Sequence, residues 1–149
     1  MTDLVLAIAH HLLVFALAAI LAFELALVRP GLAGADLKRL GMIDLHYGLV
    51  AGLILAVGFA RVFLGVKGPD AYLGNWVFWA KIAAFLVVGV LSVQPTIRIA
   101  GWRRAAKAEP GFALSTEQAA SVRGFIVAEL AIFALIPALA AAMARGYGL

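Results

Sequence analysis

Three observations predict an all-α integral membrane protein with four transmembrane helices in an antiparallel bundle. The chain is 65% hydrophobic and only 13% charged, with a mean hydropathy of +1.05, too apolar for a soluble domain of 149 residues. Its apolar residues fall in four continuous runs, 4–28, 45–66, 76–97 and 122–144, each near the ~20 residues that cross ~30 Å of hydrocarbon as helix. None of the runs alternates with period two, which excludes barrel strands. The expected organisation is a single four-helix transmembrane domain over 1–149.

The first run follows an acidic leader, Met1-Thr2-Asp3. It is longer than the ~7 to 15 residues of a signal-peptide core, so it reads as a retained span. Arg29-Pro30-Gly31 closes it, because proline breaks the helical hydrogen-bond ladder and glycine accepts turn dihedrals. The second run ends in a Gly/Pro turn over 65–74, and Asn75 has the chemistry to cap the third. The longest link carries Glu109-Pro110-Gly111, then Ser115 and Gln118 at capping-box spacing ahead of the fourth run. Pro95 and Pro137 are expected to kink spans three and four. Gly48, Gly52 and Ala56 form a small-residue stripe on span two suited to close helix approach.

Charge sets the expected orientation. Arg29, Lys38 and Arg39 lie in the first link, and Arg98, Arg103, Arg104, Lys107 and Arg123 lie in or beside the third, whereas Lys67 is alone in the middle one. By the positive-inside rule the two basic links are cytoplasmic, and both termini lie on the outer, periplasmic side of a bacterial inner membrane. The net charge of +4 is then a topology signal and an attraction to anionic lipid rather than to nucleic acid. Cysteine is absent, which removes disulfides, thiolate metal sites and iron–sulfur clusters.

Ionisable residues inside the spans mark candidate sites, since a charge in hydrocarbon must be paired, hydrated or neutralised. Depth groups these and the other polar residues in two layers. His10 and His11 of span one, Arg61 of span two and Lys81 of span three share an outer level, with Trp76 and Trp79 nearby. Glu24, Asp44, His46, Gln94, Arg98 and Glu129 share an inner one. His10, Leu17 and Glu24 fall on one helical face, expected to point into the bundle with His46 and Arg61. Structural roles compete at every position: His10 or His11 bonded to backbone on the Lys81 side or to an interfacial tryptophan, a snorkelling Lys81, and interhelical pairs such as Glu24 with Arg98 or Glu129 with His46. Tyr72, Trp76, Trp79 and Trp102 read as an interfacial belt.

The run Leu45-His-Tyr-Gly, then Phe78-Trp-Ala-Lys81, then Leu91-Ser-Val-Gln-Pro-Thr-Ile-Arg98 with Trp102-Arg103 resembles a family of predicted bacterial four-span membrane proteins, domain-of-unknown-function family 2214, over nearly the whole chain. More distantly, the span-one histidine, the Trp/Lys span three and the acidic residue ahead of proline in span four are similar to HemJ-type protoporphyrinogen oxidases and CopD-like membrane proteins. That likeness implies haem b on His10 or His11, iron being held by one of the two, and a catalytic role for Lys81, with Arg61 beside it. Span three departs from the oxidase pattern in having no histidine within Trp76-Val-Phe-Trp-Ala-Lys81.

The functional expectation is therefore a haem- or porphyrin-linked membrane redox protein. Two other classes stand beside it: an accessory or assembly subunit docked on a larger membrane complex, and a proton-coupled carrier working as a homo-oligomer. Glu24, His46 and Glu129 would serve the last. No nucleotide-binding, zincin or nucleophile-elbow pattern is present.

Overall fold

The computed structural model describes residues 1–148. Six helices follow in order: α1 (Thr2–Leu27), α2 (Gly34–Leu64), the single turn α3 (Asp70–Leu73), α4 (Trp76–Ala108), α5 (Thr116–Phe133) and α6 (Leu135–Ala144). α5 and α6 are one span interrupted at a single residue, so four helical segments are long and apolar enough to cross a membrane. They form a ring in which α1 packs on α2 and α5, while α4 packs on α2, α5 and α6.

Two helices outrun their apolar cores. α2 starts at Gly34 and α4 runs to Ala108, both continuing through basic residues outside the apolar runs. Lys, Arg, Ala and Leu all favour helix, so polarity alone does not stop it; the ends are set by Gly31 and Gly34, and by Glu109-Pro110-Gly111. Gly31, Gly34 and Gly111 hold φ of 78°, 51° and 98°, a left-handed backbone that side chains resist.

Caps appear where the sequence placed them. Asn75 Oδ1 accepts from the Val77 and Phe78 amides at 2.9 and 3.3 Å. Ser115 and Gln118 exchange the two bonds of a capping box at 3.0 and 3.1 Å. Pro95 lies inside an unbroken α4, whereas the helix carrying Pro137 breaks at Ala134. The break lies one turn before the proline, whose ring lacks the amide that would bond the Phe133 carbonyl and crowds that carbonyl.

The core shows where each helix faces. Leu17 and Leu21 of α1, Leu40, Tyr47 and Ile54 of α2, Val88 and Ile99 of α4, and Val122, Ile126 and Phe133 of α5 are buried. On α2 these are spaced by seven, which projects Arg61 onto the same stripe. His46 stands ~100° off it and is exposed. Gly48 and Gly52 are exposed as well, with open space where a Cβ would stand. The expected close-approach stripe thus faces away from the bundle. Close approach occurs instead at Gly41, where the Arg103 side chain of α4 lies, and at Gly58, where an added Cβ would meet His10 Cε1 at 3.3 Å.

The two ends are tied differently. At one end the two basic links bridge backbone to backbone: the Gly31 amide donates to the Leu114 carbonyl at 2.9 Å and the Leu114 amide to the Leu32 carbonyl at 3.0 Å. Arg123 of α5 donates to the Leu25 and Val28 carbonyls at 2.5 and 2.9 Å, closing the C-terminus of α1 with a cation. At the other end Asn75 donates to the Tyr147 carbonyl at 3.0 Å and the Trp76 amide to the Gly148 carbonyl at 3.2 Å. Both described chain ends therefore lie with the middle link, opposite the basic links.

Candidate functional site

His10, Arg61 and Lys81 converge on one cavity. It has a volume of about 410 Å³ and lies at the chain-end half of the bundle between α1, α2, α4 and α6. Its walls are apolar, with Phe85, Phe133 and Ile136 among them. The helical stripes explain the convergence. His10 continues the Leu17–Glu24 face of α1, Arg61 the Tyr47–Ile54 face of α2, and Lys81 the Phe85–Val88 face of α4. The cavity forms because α6, beyond the break at Ala134, packs on α4 and not to a like extent on α1.

Within the cavity the polar groups are weakly held. The His10 Nδ1 and the Arg61 Nε are buried without a hydrogen-bond partner among the described residues. The Ile54 carbonyl approaches the His10 ring, but no contact meets hydrogen-bond geometry. The Lys81 ammonium sits 5.8 Å from the Phe78 ring centroid, a cation–π contact. The described ion pairs are Arg29 and Arg39 with Asp36, exposed and on another element boundary. Neither cavity cation has a carboxylate partner among the described residues.

Of the two adjacent histidines, His10 is the inward one. His11 is exposed, and its Nδ1 lies 2.6 Å from the Ala7 carbonyl of its own helix. Although it reaches the cavity rim, its ring is engaged with the backbone of its own helix, not with the backbone beside Lys81 or a tryptophan. Lys81 is half-buried rather than turned out. Tyr72 lines the cavity and Trp102 is buried in the core, so neither joins the aromatic belt. Trp76 and Trp79 are exposed, with Trp79 Nε1 bonded to the Leu73 carbonyl at 2.9 Å.

A second polar layer lies deeper toward the basic links. On α1, His10 and Glu24 are separated by ~21 Å at ~1.5 Å per residue. Glu24 is 3% exposed and Glu129 1% exposed. Glu24 Oε1 and both Glu129 oxygens lack a hydrogen-bond partner among the described residues. Asp44 accepts from the Thr96 hydroxyl at 2.7 Å. The buried Tyr47 lies beside Glu129 and Ser92, in a contact that falls short of hydrogen-bond geometry at the carboxylate.

This layer departs from the expected one at two positions. His46 is exposed, its Nδ1 2.7 Å from the Met42 carbonyl, and Arg98 is exposed beside a shallow pocket with Trp102 and Gln118. The pairs Glu24–Arg98 and Glu129–His46 therefore do not form. Tyr47, absent from the sequence reading, takes the inward place one residue from His46. Its signal was present: it lies seven residues from both Leu40 and Ile54, and three from Asp44.

Between the layers the bundle is apolar, filled by Leu17, Leu21, Ile54, Val88 and Ile126, all at most 5% exposed. The arrangement can thus hold an acidic, mainly apolar molecule at one level, and separately hold an uncompensated carboxyl cluster at the other. No group of three or more His, Cys, Asp or Glu side chains among the described residues is arranged to hold a metal ion.

No curated protein and no solved structure matches the chain. A family model described as "Predicted membrane protein (DUF2214)" matches residues 2–148, nearly the whole chain, and this multi-pass membrane protein belongs to that family.

Proposed function

We propose that the protein binds an acidic, largely apolar molecule drawn from the bilayer in the cavity of His10, Arg61 and Lys81, with haem b or a related porphyrin as the ligand. The observation that supports this is the convergence of three cation-forming side chains from three helices on one apolar cavity, with no carboxylate in ion-pair contact with them among the described residues. Pockets of ~300–1,000 Å³ with apolar walls and a few convergent polar groups are the usual form of small-molecule sites. The residues fit a porphyrin. His10 offers an imidazole not committed to another side chain, and Arg61 and Lys81 offer charge to two propionates. His11 reaches only the cavity rim with its ring on the Ala7 carbonyl, and His46 lies away from the cavity, so the ligand set is one histidine. Bound haem would supply one-electron redox chemistry, which makes the protein a membrane redox protein in this reading. Arg61 and Lys81 then position the acidic groups, and the apolar walls exclude water.

The positive-inside rule places the basic links in the cytoplasm of a bacterial cell and the cavity in the outer half of its inner membrane. An absorbance spectrum, oxidised and dithionite-reduced, of protein purified in mild detergent from cells supplied with haem precursor tests the reading. A Soret band is expected in the wild type and in His11→Ala, lost in His10→Ala, and weakened in Arg61→Ala. Folded protein with no band overturns the haem reading. Co-purification of a larger membrane complex in its place would turn the assignment to an accessory subunit.

A further inference from the structure

The carboxyl layer is unused by the cavity reading and stands apart from it. Glu24 and Glu129 are almost completely buried, three of their four oxygens have no hydrogen-bond partner among the described residues, and neither makes an ion pair there. Asp44 stands three residues, about one turn, before the buried Tyr47 on α2, on the basic-link side of the pair. A buried carboxylate with neither counter-ion nor donors is far costlier than a neutral acid, so a group so placed holds a positive species.

That species is set by the surroundings. A metal cation stripped of water needs several oxygen ligands around it. Here α1, α2, α4 and α5 are continuous helices at this depth, so their carbonyls are spent within the helices except that of Leu91, which Pro95 leaves without its amide donor, and one carbonyl does not replace the shell of oxygens a bare cation needs. No three-ligand metal group is present among the described residues. A proton needs only a carboxyl pair and a neighbouring hydroxyl, and Tyr47 provides the hydroxyl.

Access is one-sided. Asp44 is only half-buried, and its partner Thr96 is exposed. The Arg103 side chain lies over Gly41, three residues before Asp44, on the side of the basic links. Toward the cavity, Leu17, Leu21, Ile54, Val88 and Ile126 leave no polar stepping stone. The titratable groups about the pair of Glu24 on α1 and Glu129 on α5 are thus Tyr47 and, one turn toward the basic links, Asp44 of α2, while the charged Arg103 of α4 is exposed over Gly41 on the far side of Asp44.

We propose that Glu24 and Glu129, with Tyr47 beside them, form a proton-binding site that exchanges with the basic-link side of the membrane through Asp44 and is closed toward the cavity. The site does not depend on the identity of the cavity ligand.

Dicyclohexylcarbodiimide tests it, because the reagent adds to protonated carboxyls in apolar surroundings. Intact protein in detergent is expected to take up the label at Glu24 or Glu129, located by peptide mass spectrometry. Labelling should fall as pH rises, be indifferent to sodium and potassium at fixed pH, and vanish in Glu24→Gln/Glu129→Gln. Absent labelling of the pair, or protection by either cation at fixed pH, overturns the proton assignment. Infrared spectroscopy of the wild type gives a measurement free of any folding defect in the variant. A protonated-carboxyl carbonyl band that shifts in deuterated water is expected, and its absence overturns the site. Asp44→Asn should slow that exchange while leaving labelling in place; an unchanged exchange rate overturns the route through Asp44.

Discussion

The two halves of this bundle use the same four helices to opposite ends. Toward the basic links the helices close: the links bridge through Gly31, Leu32 and Leu114, Arg123 holds the last carbonyls of α1, and Arg103 lies over Gly41. The carboxyl groups Glu24 and Glu129 are buried inside that half, with Tyr47 beside them and no buried cation among the described residues. Toward the chain ends the bundle opens where α6, beyond the interruption at Ala134, packs on α4 and not to a like extent on α1, and His10, Arg61 and Lys81 lie inside. A closed half can keep an uncompensated carboxyl away from anything larger than a proton, while an open half can admit a molecule. Which chemistry each half supports is thus decided as much by packing as by charge.

The separation depends on the apolar layer between them, and breaking it should have the largest effect. Leu17 is 0% exposed at that level, and Leu17→Asp puts a carboxyl in the seal. A charge-forming residue at the centre of a span costs about 3 kcal/mol, so the variant should insert poorly or unfold early in detergent titrations followed by circular dichroism. A Leu17→Asp protein as stable as the wild type would mean that the layer is already hydrated.

Next in size is the tie that closes the acidic half. Arg123 satisfies two carbonyls at the end of α1, and Arg123→Ala leaves them with no donor and removes a cation from a helix C-terminus. A loss of about 2 kcal/mol is expected by the same titration, with Arg123→Lys restoring part of it. An unaltered unfolding midpoint would show that the half is closed by its core alone.

Much of this architecture is legible in the sequence, and the failures have a common physical origin. The spans, the Asn75 cap and the Ser115–Gln118 box are local: run length and residue spacing determine them. The inward faces depend on helical phase, and phase taken from a histidine misleads, because His46 and His11 satisfy themselves on the carbonyl one turn earlier and face outward. Phase taken from Leu40, Tyr47 and Ile54 places Tyr47 inside. The cavity was legible only as a shared depth of His10, Arg61 and Lys81. Its volume arises from the interruption at Ala134 and from Gly58 making room for the His10 ring, neither of which spacing alone reveals.

A matched pair of substitutions on α2 sharpens the contrast. Gly41 and Gly58 each accept a side chain from a neighbouring helix, Arg103 in the closed half and His10 in the open one. Gly41→Leu displaces the far end of the exposed, flexible Arg103 side chain, which can swing away at a cost below about 1 kcal/mol, whereas Gly58→Leu must move the half-buried His10 ring, at about 1 to 2 kcal/mol. Gly58→Leu should abolish cavity ligand binding and leave carbodiimide labelling of Glu24 and Glu129 unchanged. Ligand binding retained in Gly58→Leu would argue against His10 holding the cavity ligand.

The smallest effect carries the most about coupling. Ser115→Ala removes one bond of the capping box at the start of α5, a loss of about 1 kcal/mol. It lies at the basic-link end of the helix that continues into α6. If the halves are energetically separate, combining Ser115→Ala with Gly58→Leu should give the sum of the single losses within about 0.5 kcal/mol, as distant sites without shared partners do. Coupling beyond that would mean that α5 and α6 respond as one rod despite the break at Ala134, so that loosening the capped end alters the cavity. Proton occupancy at Glu129, which stands on α5 between the cap and the break, would then be able to bias the cavity's shape. Additivity in the double variant excludes that link through α5 and leaves the proton site and the cavity as independent properties of one bundle.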